Sequence, residues 1–377
     1  MTTVVLRVGL IGAGEVAQVI HLPTLQLLTH LYTVSAICDM SQKTVDYCKN
    51  RYNIPLATTN PDDVINQPDI DVIFNLTSDE FHETIAVAAL KAGKHVMQEK
   101  PISLSVESAM RIAQAEREAK NGARVFVGYM RRYAPSFVNA FKREVASIDR
   151  VLYARSRGIV GPNPYFVNQS GTFPFKNPDD IPSGASAKRE KLLSELLREA
   201  FDGDKAAEED VKFCRHLGSL GSHELSLMRE VLGFPQSVAG VSVNPPFYSA
   251  ILNYKTNRGV FSLTYETGID EVARFDSHLT VYGNNKTVSI HYDTPYVKGL
   301  AIKVKVDEVN EYGEVISREI LSSYEDAYTA ELKEMHACFT KGREIKTTVE
   351  DALQDSKLFA MLLEQHRQQR MRSAGLN

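Results

Sequence analysis

Short apolar segments alternate with helix-like stretches through the first third of the chain. The apolar segments are VVLRVGLI (4–11), TVSAIC (33–38), DVIFNL (71–76), KHVMQ (94–98) and RVFVGY (124–129). Continuous apolar runs of this length are typical of strands that are covered on both faces of a sheet. Strands that alternate with helices form right-handed crossover units, so the pattern predicts an α/β fold with a doubly wound parallel sheet.

A glycine-rich turn, GAGEVA, follows the first apolar segment and precedes a helical stretch. This is the position that the dinucleotide-binding fingerprint requires, and the fingerprint tolerates Ala17 in place of its third glycine. Gly12 would make the tight turn, and Gly14 would let the backbone approach a pyrophosphate at the helix N-terminus. The predicted cofactor contacts in this turn are Gly12, Ala13, Gly14, Glu15 and Val16.

Asp39 closes the second apolar segment. A carboxylate at the end of the second strand can accept a hydrogen bond from an adenosine ribose 2′-OH, and it repels a 2′-phosphate. Met40 and Ser41 follow without an arginine, which favours NAD, whereas Lys43 leaves NADP open. The alternative is that Asp39 only caps a helix that starts near Ser41.

We therefore expect the chain to bind NAD⁺ more tightly than NADP⁺, by about tenfold or more, which corresponds to about 1.4 kcal/mol. The physical reason is that Asp39 would hold the ribose diol and repel a phosphate attached to it. Calorimetric titration with both dinucleotides measures the difference. Equal affinities, or a preference for NADP⁺, would contradict the role assigned to Asp39.

The length of 377 residues predicts two domains. The strand and helix alternation supports a dinucleotide-binding domain over 1–130, which leaves 131–377 for a second domain. From about Gly233 onward the pattern changes to short β segments, and Gly283-Asn284-Asn285 marks a hairpin turn. These segments predict a mixed or antiparallel sheet with one exposed face.

Composition argues against several classes of partner. The 43 basic and 47 acidic residues give a net charge of −4, and no basic-aromatic surface suggests nucleic acid. No apolar run approaches the ~18 residues of a membrane span. The four cysteines show no paired spacing, which favours a reducing, cytoplasmic setting, and no cluster of ligand residues has the spacing of a metal site.

Four stretches of the chain together resemble one enzyme group. GAGEVA, KHVMQEKP, VGYMRRYAP (127–135) and TTVEDALQDSKLF (347–359) are similar to the Gfo/Idh/MocA family of sugar and inositol dehydrogenases. The resemblance covers nearly the whole chain except 160–212. It implies a Rossmann domain over 1–130 and, over 131–377, a substrate-binding and oligomerisation α/β domain with a large open sheet. The implied activity is that of an NAD(P)-dependent oxidoreductase that acts on a secondary alcohol of a sugar, polyol or related cyclic compound.

The resemblance implies that Lys100, in the EKP motif, points at the nicotinamide and the reacting carbinol. Oxidation of an alcohol requires a proton acceptor within about 3 Å of the hydroxyl oxygen. The ordinary pKa of lysine, about 10.4, is too high for that role at neutral pH, but enclosure and the charge of oxidised nicotinamide would lower it. Glu99 is expected to contact the cofactor ribose or local backbone. The resemblance also places backbone of Asn75, Leu76 and Thr77 against the cofactor.

A second family signature is a helix that carries an Asp and, four residues later, a His, both directed at the substrate. In this chain His223 occupies the His position and Ser219 occupies the Asp position. A hydroxyl cannot act as a carboxylate base, although it can hydrogen-bond to a sugar hydroxyl. The alternative for His223 is a histidine near a helix N-terminus that is satisfied by backbone, and His216 is a weaker competitor for its role.

The remaining candidates have a weaker basis. Arg132 is a predicted substrate contact, although Arg131 and Arg132 equally fit a solvated pair, and His82 fits a packing role. The stretch 160–182 is rich in Asn, Pro and aromatic residues, which is typical of a substrate loop. The helical stretch 185–200 has an apolar stripe that predicts a packing helix or a subunit contact.

Two other functions stay open beside the dehydrogenase. One is a non-catalytic dinucleotide sensor, like the galactose-repressor relatives of this fold, and the other is a reductase of a non-sugar such as an enone or bilin. Retention of Lys100 and His223 favours the enzyme, whereas Ser219 favours the sensor or an altered mechanism. An apolar exposed sheet face would favour a homo-oligomer, most simply a dimer or tetramer.

Overall fold

The computed structural model describes residues 3–204 and 206–375, which divide into two compact units. The described residues of Met1–Tyr129, Ser170–Lys205 and Glu331–Ser356 form the first unit. Those of Met130–Gln169, Ala206–Ala330 and Lys357–Asn377 form the second unit. No helix in the described ranges has the length and apolar character needed to cross a membrane.

The first unit contains a six-stranded parallel sheet with the strand order β3-β2-β1-β4-β5-β6. The strands are β1 (Leu6–Ile11), β2 (Tyr32–Cys38), β3 (Leu56–Thr58), β4 (Val72–Asn75), β5 (His95–Glu99) and β6 (Val125–Gly128). The predicted doubly wound sheet is therefore confirmed. The short strand β3 was not predicted, because its three residues contain no apolar run.

Helices connect the strands of both units. In chain order they are α1 (Leu22–Leu27), α2 (Gln42–Tyr52), α3 (Pro61–Ile65), α4 (His82–Lys91), α5 (Val106–Arg117), α6 (Lys142–Ala146), α7 (Asn163–Val167), α8 (Ser183–Ala200), α9 (Glu208–His216), α10 (Ser222–Leu232), α11 (Ala327–Lys341) and α12 (Val349–Ser373). A π-helical turn, Ala17–His21, precedes α1, and another, Leu217–Gly221, joins α9 to α10.

Two segments that lie late in the chain pack on the first unit. Glu199 of α8 pairs with Arg111 of α5 at 2.8 Å. Farther along the chain, the Thr347 carbonyl accepts a hydrogen bond from Val127 N of β6 at 3.0 Å. The first unit therefore includes 170–204 and 331–356 in addition to residues of the predicted dinucleotide-binding domain. The domain boundary at 130/131 stays a prediction. The predicted packing role of the helix near 185–200 agrees with these contacts.

The second unit contains an eight-stranded sheet with the order β14-β13-β12-β11-β7-β10-β9-β8. Its strands are β7 (Val151–Val160), β8 (Ser237–Asn244), β9 (Phe247–Thr256), β10 (Gly259–Ile269), β11 (Phe275–Gly283), β12 (Lys286–Tyr292), β13 (Lys303–Val309) and β14 (Val315–Ile320). Among the pairings described within this second sheet, only that of β7 with β10 is parallel, so the predicted large, mostly antiparallel sheet is confirmed.

The exposed face of this sheet is polar at its centre. Arg157 donates to Glu266 on β10 at 2.7 Å and to Asp276 on β11 at 2.9 Å, and Arg155 pairs with the same Glu266. The outward positions of the central strands thus carry charged side chains, and exposed apolar side chains such as Val260 and Ile251 lie on neighbouring strands. The apolar face and the homo-oligomer stay predictions.

Glu144 of α6 is a buried carboxylate that joins helix and sheet within the second unit. It accepts hydrogen bonds from Arg318 at 2.7 Å, from Lys286 at 2.8 Å and from Arg143 at 3.0 Å. Burial alone would raise the pKa of Glu144, but these three cations lower it to about 2. The carboxylate is therefore ionised in the folded protein over the whole neutral and mildly acidic range.

We expect Glu144→Gln to lower the free energy of unfolding at pH 7 by about 2 kcal/mol, because hydrogen bonds to charged groups contribute on that order. A carboxyl with a depressed pKa stabilises the fold above its unfolded-state pKa. The deficit of the variant should therefore shrink as the pH falls from about 4.5 towards 2. Urea unfolding of both proteins across this pH range measures it.

Glu319→Gln is the matched control, because Glu319 on β14 forms only an exposed pair with Lys303 at 2.7 Å. Exposed pairs contribute little, so this variant should unfold within about 0.5 kcal/mol of the wild type. Equal losses in the two variants would show that the buried network around Glu144 has no special role in stability.

Candidate functional site

The glycine turn after β1 combines a steric requirement with an open space. Gly12 has a φ of +100°, and a Cβ atom at this position would lie 2.5 Å from the backbone oxygen of Leu76. A Cβ atom on Gly14 would meet no atom within 4 Å. Gly12 is thus needed for the fold, whereas Gly14 leaves room above the turn, which fits the close approach of a pyrophosphate.

Asp39 joins the glycine turn to the start of α2. Its Oδ2 accepts a hydrogen bond from Ala13 N at 2.8 Å, and its Oδ1 accepts one from Ser41 N at 3.1 Å. The side chain that caps α2 is that of Ser41, whose Oγ accepts from Thr44 N at 3.1 Å. Asp39 is therefore more than a helix cap, and its carboxylate lies beside the turn that would hold a dinucleotide.

The end of β4 is tied to its neighbours through Asn75, which is fully buried. Its Nδ2 donates to Gln98 Oε1 at 2.8 Å and to the His82 carbonyl at 3.0 Å, while its Oδ1 accepts from Thr77 Oγ1 at 2.7 Å. Leu76 contributes the carbonyl that Gly12 approaches. The predicted set of Asn75, Leu76 and Thr77 thus lies at the carboxyl edge of the sheet, next to the glycine turn.

His82 has the packing role that its sequence context favoured. It is buried, and its ring nitrogens lie 2.8 Å from the Pro101 carbonyl oxygen and 3.1 Å from the Thr77 carbonyl oxygen. The ring thereby links the loop after β4 to the loop after β5.

Glu99 faces the interior of the first unit. Its Oε1 lies 2.7 Å from His21 Nε2, and its Oε2 accepts a hydrogen bond from Lys100 N at 3.2 Å. Burial raises the pKa of Glu99, but the hydrogen bond and charge of His21, together with Lys100, outweigh burial and leave the pKa below its ordinary value. The predicted contact with local backbone is present, and the contact with the cofactor ribose stays a prediction.

Lys100 is half-buried at the carboxyl end of β5, and the Lys100–Pro101 peptide is cis. The pairing of Glu99 with both His21 and the Lys100 backbone holds this strand end. Lys100 thus lies at the same edge of the parallel sheet as the glycine turn, since β5 and β1 both flank β4. This is the edge where ligands bind in open α/β sheets.

Sequence reasoning missed two buried groups near Glu99. His21 is fully buried in the π-helical turn after the fingerprint. Glu331 of α11 is also fully buried, and burial, together with the charge of Glu99, raises its pKa well above the ordinary value. A histidine within the apolar stretch VIHLP was a detectable signal for the first of them. No local pattern marked Glu331.

In the second unit, Ser219 and His223 lie on one continuous helical run formed by α9, the π-helical turn and α10. Ser219 is exposed, and His223 is half-buried in the first turn of α10. His216 is buried with its Nε2 2.8 Å from Thr267 Oγ1, and burial lowers its pKa to about 4. His216 therefore has a structural role. His223 remains the better candidate for the histidine that the family pattern directs at the substrate.

The two adjacent arginines are not a solvated pair, because each is only 3% exposed. Arg131 pairs with Glu224 and donates to Ser277 Oγ at 2.6 Å. Arg132 Nε donates to Glu230 Oε2 at 2.6 Å. The alternative of solvated charges is thus wrong, since both guanidinium groups are paired with carboxylates of α10. The substrate contact of Arg132 stays a prediction.

A search of the described residues finds one group of potential metal ligands, and it lies in the second unit. Glu209, Asp210 and His366 bring ligand atoms within 4.8 Å of one another. Arg370 Nη1, however, lies 2.8 Å from Asp210 Oδ2 and 3.1 Å from Glu209 Oε1. The guanidinium already neutralises these carboxylates, so we assign no metal to the group. The sequence did not reveal it because His366 is distant along the chain.

Both halves of the chain match family models. Residues 6–129 match the oxidoreductase family, NAD-binding Rossmann fold, and residues 206–373 match the oxidoreductase family, C-terminal alpha/beta domain. The chain belongs to the Gfo/Idh/MocA oxidoreductase family. The resemblance drawn from the sequence motifs is thereby confirmed, and the NAD-binding fold agrees with the geometry of the glycine turn.

Similar curated proteins include inositol dehydrogenases. The inositol 2-dehydrogenase of Salmonella typhimurium is 35% identical over 135 residues, which are 35% of this chain and 39% of that protein. The match thus spans well under half of this relative's length. The myo-inositol 2-dehydrogenase of Thermotoga maritima is 23% identical over 332 residues, covering 87% of this chain and 86% of the relative.

Solved structures share the fold at low sequence identity. A levoglucosan dehydrogenase in complex with NADH has a TM-score of 0.70 and 17% identity, with 96% of this chain and 97% of that chain covered. The aldose-aldose oxidoreductase of Caulobacter crescentus, complexed with glycerol, has a TM-score of 0.71 and 18% identity, with 97% and 99% covered. These similarities establish the fold and nothing finer.

The two glycines of the turn should respond differently to the same substitution. We expect Gly14→Ala to keep or slightly raise stability, by about 0.4–1 kcal/mol through the unfolded state, because its Cβ meets no protein atom. The same methyl group should weaken NAD⁺ binding at least about tenfold, or about 1.4 kcal/mol, by filling the space for the pyrophosphate. Urea unfolding and calorimetric titration measure the two effects.

Gly12→Ala should instead destabilise the fold by about 1–3 kcal/mol, because its φ is positive and its Cβ would clash with Leu76. Gly184→Ala in α8 is the matched control, since its Cβ also meets nothing within 4 Å. Gly184→Ala should leave NAD⁺ affinity unchanged. Unimpaired NAD⁺ binding by Gly14→Ala would show that the pyrophosphate does not lie over the turn.

Proposed function

We propose that this chain is an NAD-dependent dehydrogenase that transfers a hydride between nicotinamide and a secondary alcohol or ketone of a polyol or sugar. The observation that carries the proposal is the common edge of the parallel sheet, where Lys100 follows β5 and the glycine turn with Asp39 follows β1 and β2. Cofactor residues and a proton acceptor on one sheet edge are what an alcohol dehydrogenation requires.

The chain has the groups needed to hold the cofactor. The backbone around Gly14 would receive the pyrophosphate, Asp39 would accept the ribose hydroxyls, and the backbone of Asn75–Thr77 would border the nicotinamide half. When bound, NAD supplies the hydride acceptor for alcohol oxidation and the hydride donor for the reverse reaction. NAD is favoured over NADP because Asp39 carries a negative charge beside the glycine turn.

Lys100 is the proposed acid–base group. Oxidation of a carbinol requires that its hydroxyl proton pass to a base as the C–H hydride leaves, and the reverse reaction returns that proton to the oxygen. The buried pairing of Glu99 with His21 and with the Lys100 backbone supports this assignment, since it fixes the strand end that carries the side chain. Glu99 and His21 are positioning residues in this scheme.

His223 is the proposed substrate-binding residue of the second unit, and Ser219 would hydrogen-bond to a substrate hydroxyl beside it. A helix with both side chains one turn apart suits a polyhydroxylated ligand, because i and i+4 positions share one helix face. The names of the relatives, which are inositol dehydrogenases, support a cyclic polyol as the first substrate to test. The reductase of an enone or bilin has no such support.

The dinucleotide sensor is the second candidate function. It is favoured by one observation, the serine at position 219 where the family pattern places an acid. A sensor would bind the dinucleotide through the same glycine turn and Asp39, but it would show no turnover with any polyol or sugar.

The proposed acid–base role is tested by Lys100→Met. We expect this variant to retain dinucleotide affinity within a few-fold and to lose kcat by about 10²–10⁴-fold, the usual cost of a missing acid–base group. The assay follows reduced nicotinamide by absorbance, with myo-inositol first and a panel of sugars and polyols after it. Cofactor affinity comes from calorimetry on the same preparation.

Lys91→Met is the matched control, because Lys91 is an exposed lysine at the end of α4. It should behave as wild type, whereas His223→Ala should raise KM together with its effect on kcat, since the role of His223 is to position the substrate. Near-wild-type turnover in Lys100→Met would remove Lys100 from the mechanism. Dinucleotide binding without wild-type turnover on any substrate would favour the sensor.

A further inference from the structure

A stretch of the first unit outside the matched Rossmann domain lies against the residues of the glycine turn and α2. We call residues 170–182 the strap. The strap precedes α8, and neither family model covers it. Its sequence context suggested a substrate loop, but the contacts described for it within the first unit are with the predicted cofactor-binding elements.

Gln18 ties the strap to the glycine turn. Its Nε2 donates to the Phe175 carbonyl at 2.8 Å and to the Ala13 carbonyl at 2.6 Å, and its Oε1 accepts from Phe175 N at 2.8 Å. Gln18 is only 1% exposed. A buried side chain amide with both ends engaged fixes the backbone of the strap beside the turn.

Aromatic contacts fix the same part of the strap on α2. The ring of Phe175 stacks on that of Tyr47, with centroids 5.0 Å apart and an interplanar angle of 27°. Tyr47 Oη also donates to the Phe173 carbonyl at 2.9 Å. The strap is therefore held at several points, and its later residues are placed at the N-terminus of α2.

Asp180 takes the hydrogen-bond donors at that N-terminus. Its Oδ1 accepts from Ser41 Oγ at 2.7 Å, and its Oδ2 accepts from Lys43 N at 2.8 Å. These bonds, with a smaller contribution from the charge of Lys43, lower the pKa of Asp180. Asp180 therefore places a negative charge next to Ser41 and Lys43, which follow Asp39 closely in the chain. Lys43 is the residue whose positive charge would otherwise favour NADP.

Asp39 and Asp180 share Ser41 as a partner. Asp39 accepts from the backbone N–H of Ser41, and Asp180 accepts from its hydroxyl. A 2′-phosphate on a ribose held by Asp39 would need hydroxyl, backbone N–H and cationic partners next to that ribose. Asp180 already occupies such partners, and its charge would repel the phosphate.

We propose that Asp180 is a coenzyme-specificity residue, which substitutes for the 2′-phosphate on the donors at the start of α2 and so excludes NADP. This inference rests on the proposed use of NAD by the same site. In this proposal the function of the strap is to supply a second carboxylate, from a distant part of the chain, in addition to that of Asp39.

The test compares NAD⁺ and NADP⁺ dissociation constants by calorimetry for wild type, Asp180→Ala and Asp180→Asn. We expect the NADP⁺/NAD⁺ ratio of dissociation constants to fall at least tenfold in Asp180→Ala, because both the charge and the competition for Ser41 and Lys43 disappear. Asp180→Asn should give a smaller fall, since an amide removes the charge but still accepts hydrogen bonds.

Asp179→Ala is the matched control, because Asp179 is the neighbouring residue, is exposed, and carries the same charge as Asp180. Its ratio should stay within twofold of wild type. Urea unfolding midpoints verify that each variant is folded. If Asp180→Ala does not fold, the ratio of dissociation constants in Asp180→Asn tests the proposal instead.

The outcomes separate this inference from the proposed reaction. Equal ratios in the folded Asp180 and Asp179 variants, or a wild type that prefers NADP⁺, would overturn the role of Asp180. A wild type that binds NAD⁺ but turns over no substrate would overturn the dehydrogenase alone, and a tenfold fall in the ratio on losing Asp180 would still support the specificity role.

Discussion

The close approach of Gly12 to the Leu76 carbonyl is the constraint on which the candidate site depends. A side chain at Gly12 would place its Cβ 2.5 Å from that oxygen, so only glycine lets the ends of β1 and β4 come together. The turn that follows then offers free space at Gly14 and brings Ala13 N to Asp39. The strands β2, β4 and β5 end at the same edge of the parallel sheet, where they are followed or closed by Asp39, Asn75 and Lys100.

Buried charged groups fix the positions of residues at the carboxyl edge of the parallel sheet. Glu99 is shielded from water, and the partners that lower its pKa also fix the backbone of Lys100. A charged or polar group inside a protein has few alternatives to its native partner, because water cannot replace that partner. This buried pairing lies at the end of β5, immediately before Lys100, the proposed acid–base residue. In the second unit, Arg131 and Arg132 are held in the same way by carboxylates of α10.

The strap packs on the glycine turn and α2 of the first unit. Its contacts with Gln18, Tyr47 and Ser41 all fall on elements of the fingerprint half of the sheet. A Rossmann domain by itself binds the adenosine ribose through one carboxylate at the end of its second strand. Here a second carboxylate, that of Asp180, comes from outside the matched domain, and the proposed coenzyme preference would link the site to this distant segment of the chain.

Local signals in the sequence determined the parallel sheet, the glycine turn, Asp39 and the EKP motif, because strand and helix periodicity and turn chemistry act over a few residues. The tertiary structure alone decided how distant residues meet. His21 contacts Glu99 across 78 residues of sequence, and Gln18 contacts Phe175 across 157 residues, and no periodicity encodes such pairs.

The sequence likewise left open a solvated arginine pair, because it shows charges without their partners. Packing then placed carboxylates opposite Arg131 and Arg132, and it placed Arg157 and Glu266 at neighbouring positions on one face. Those pairings depend on long-range register, which only the folded chain fixes.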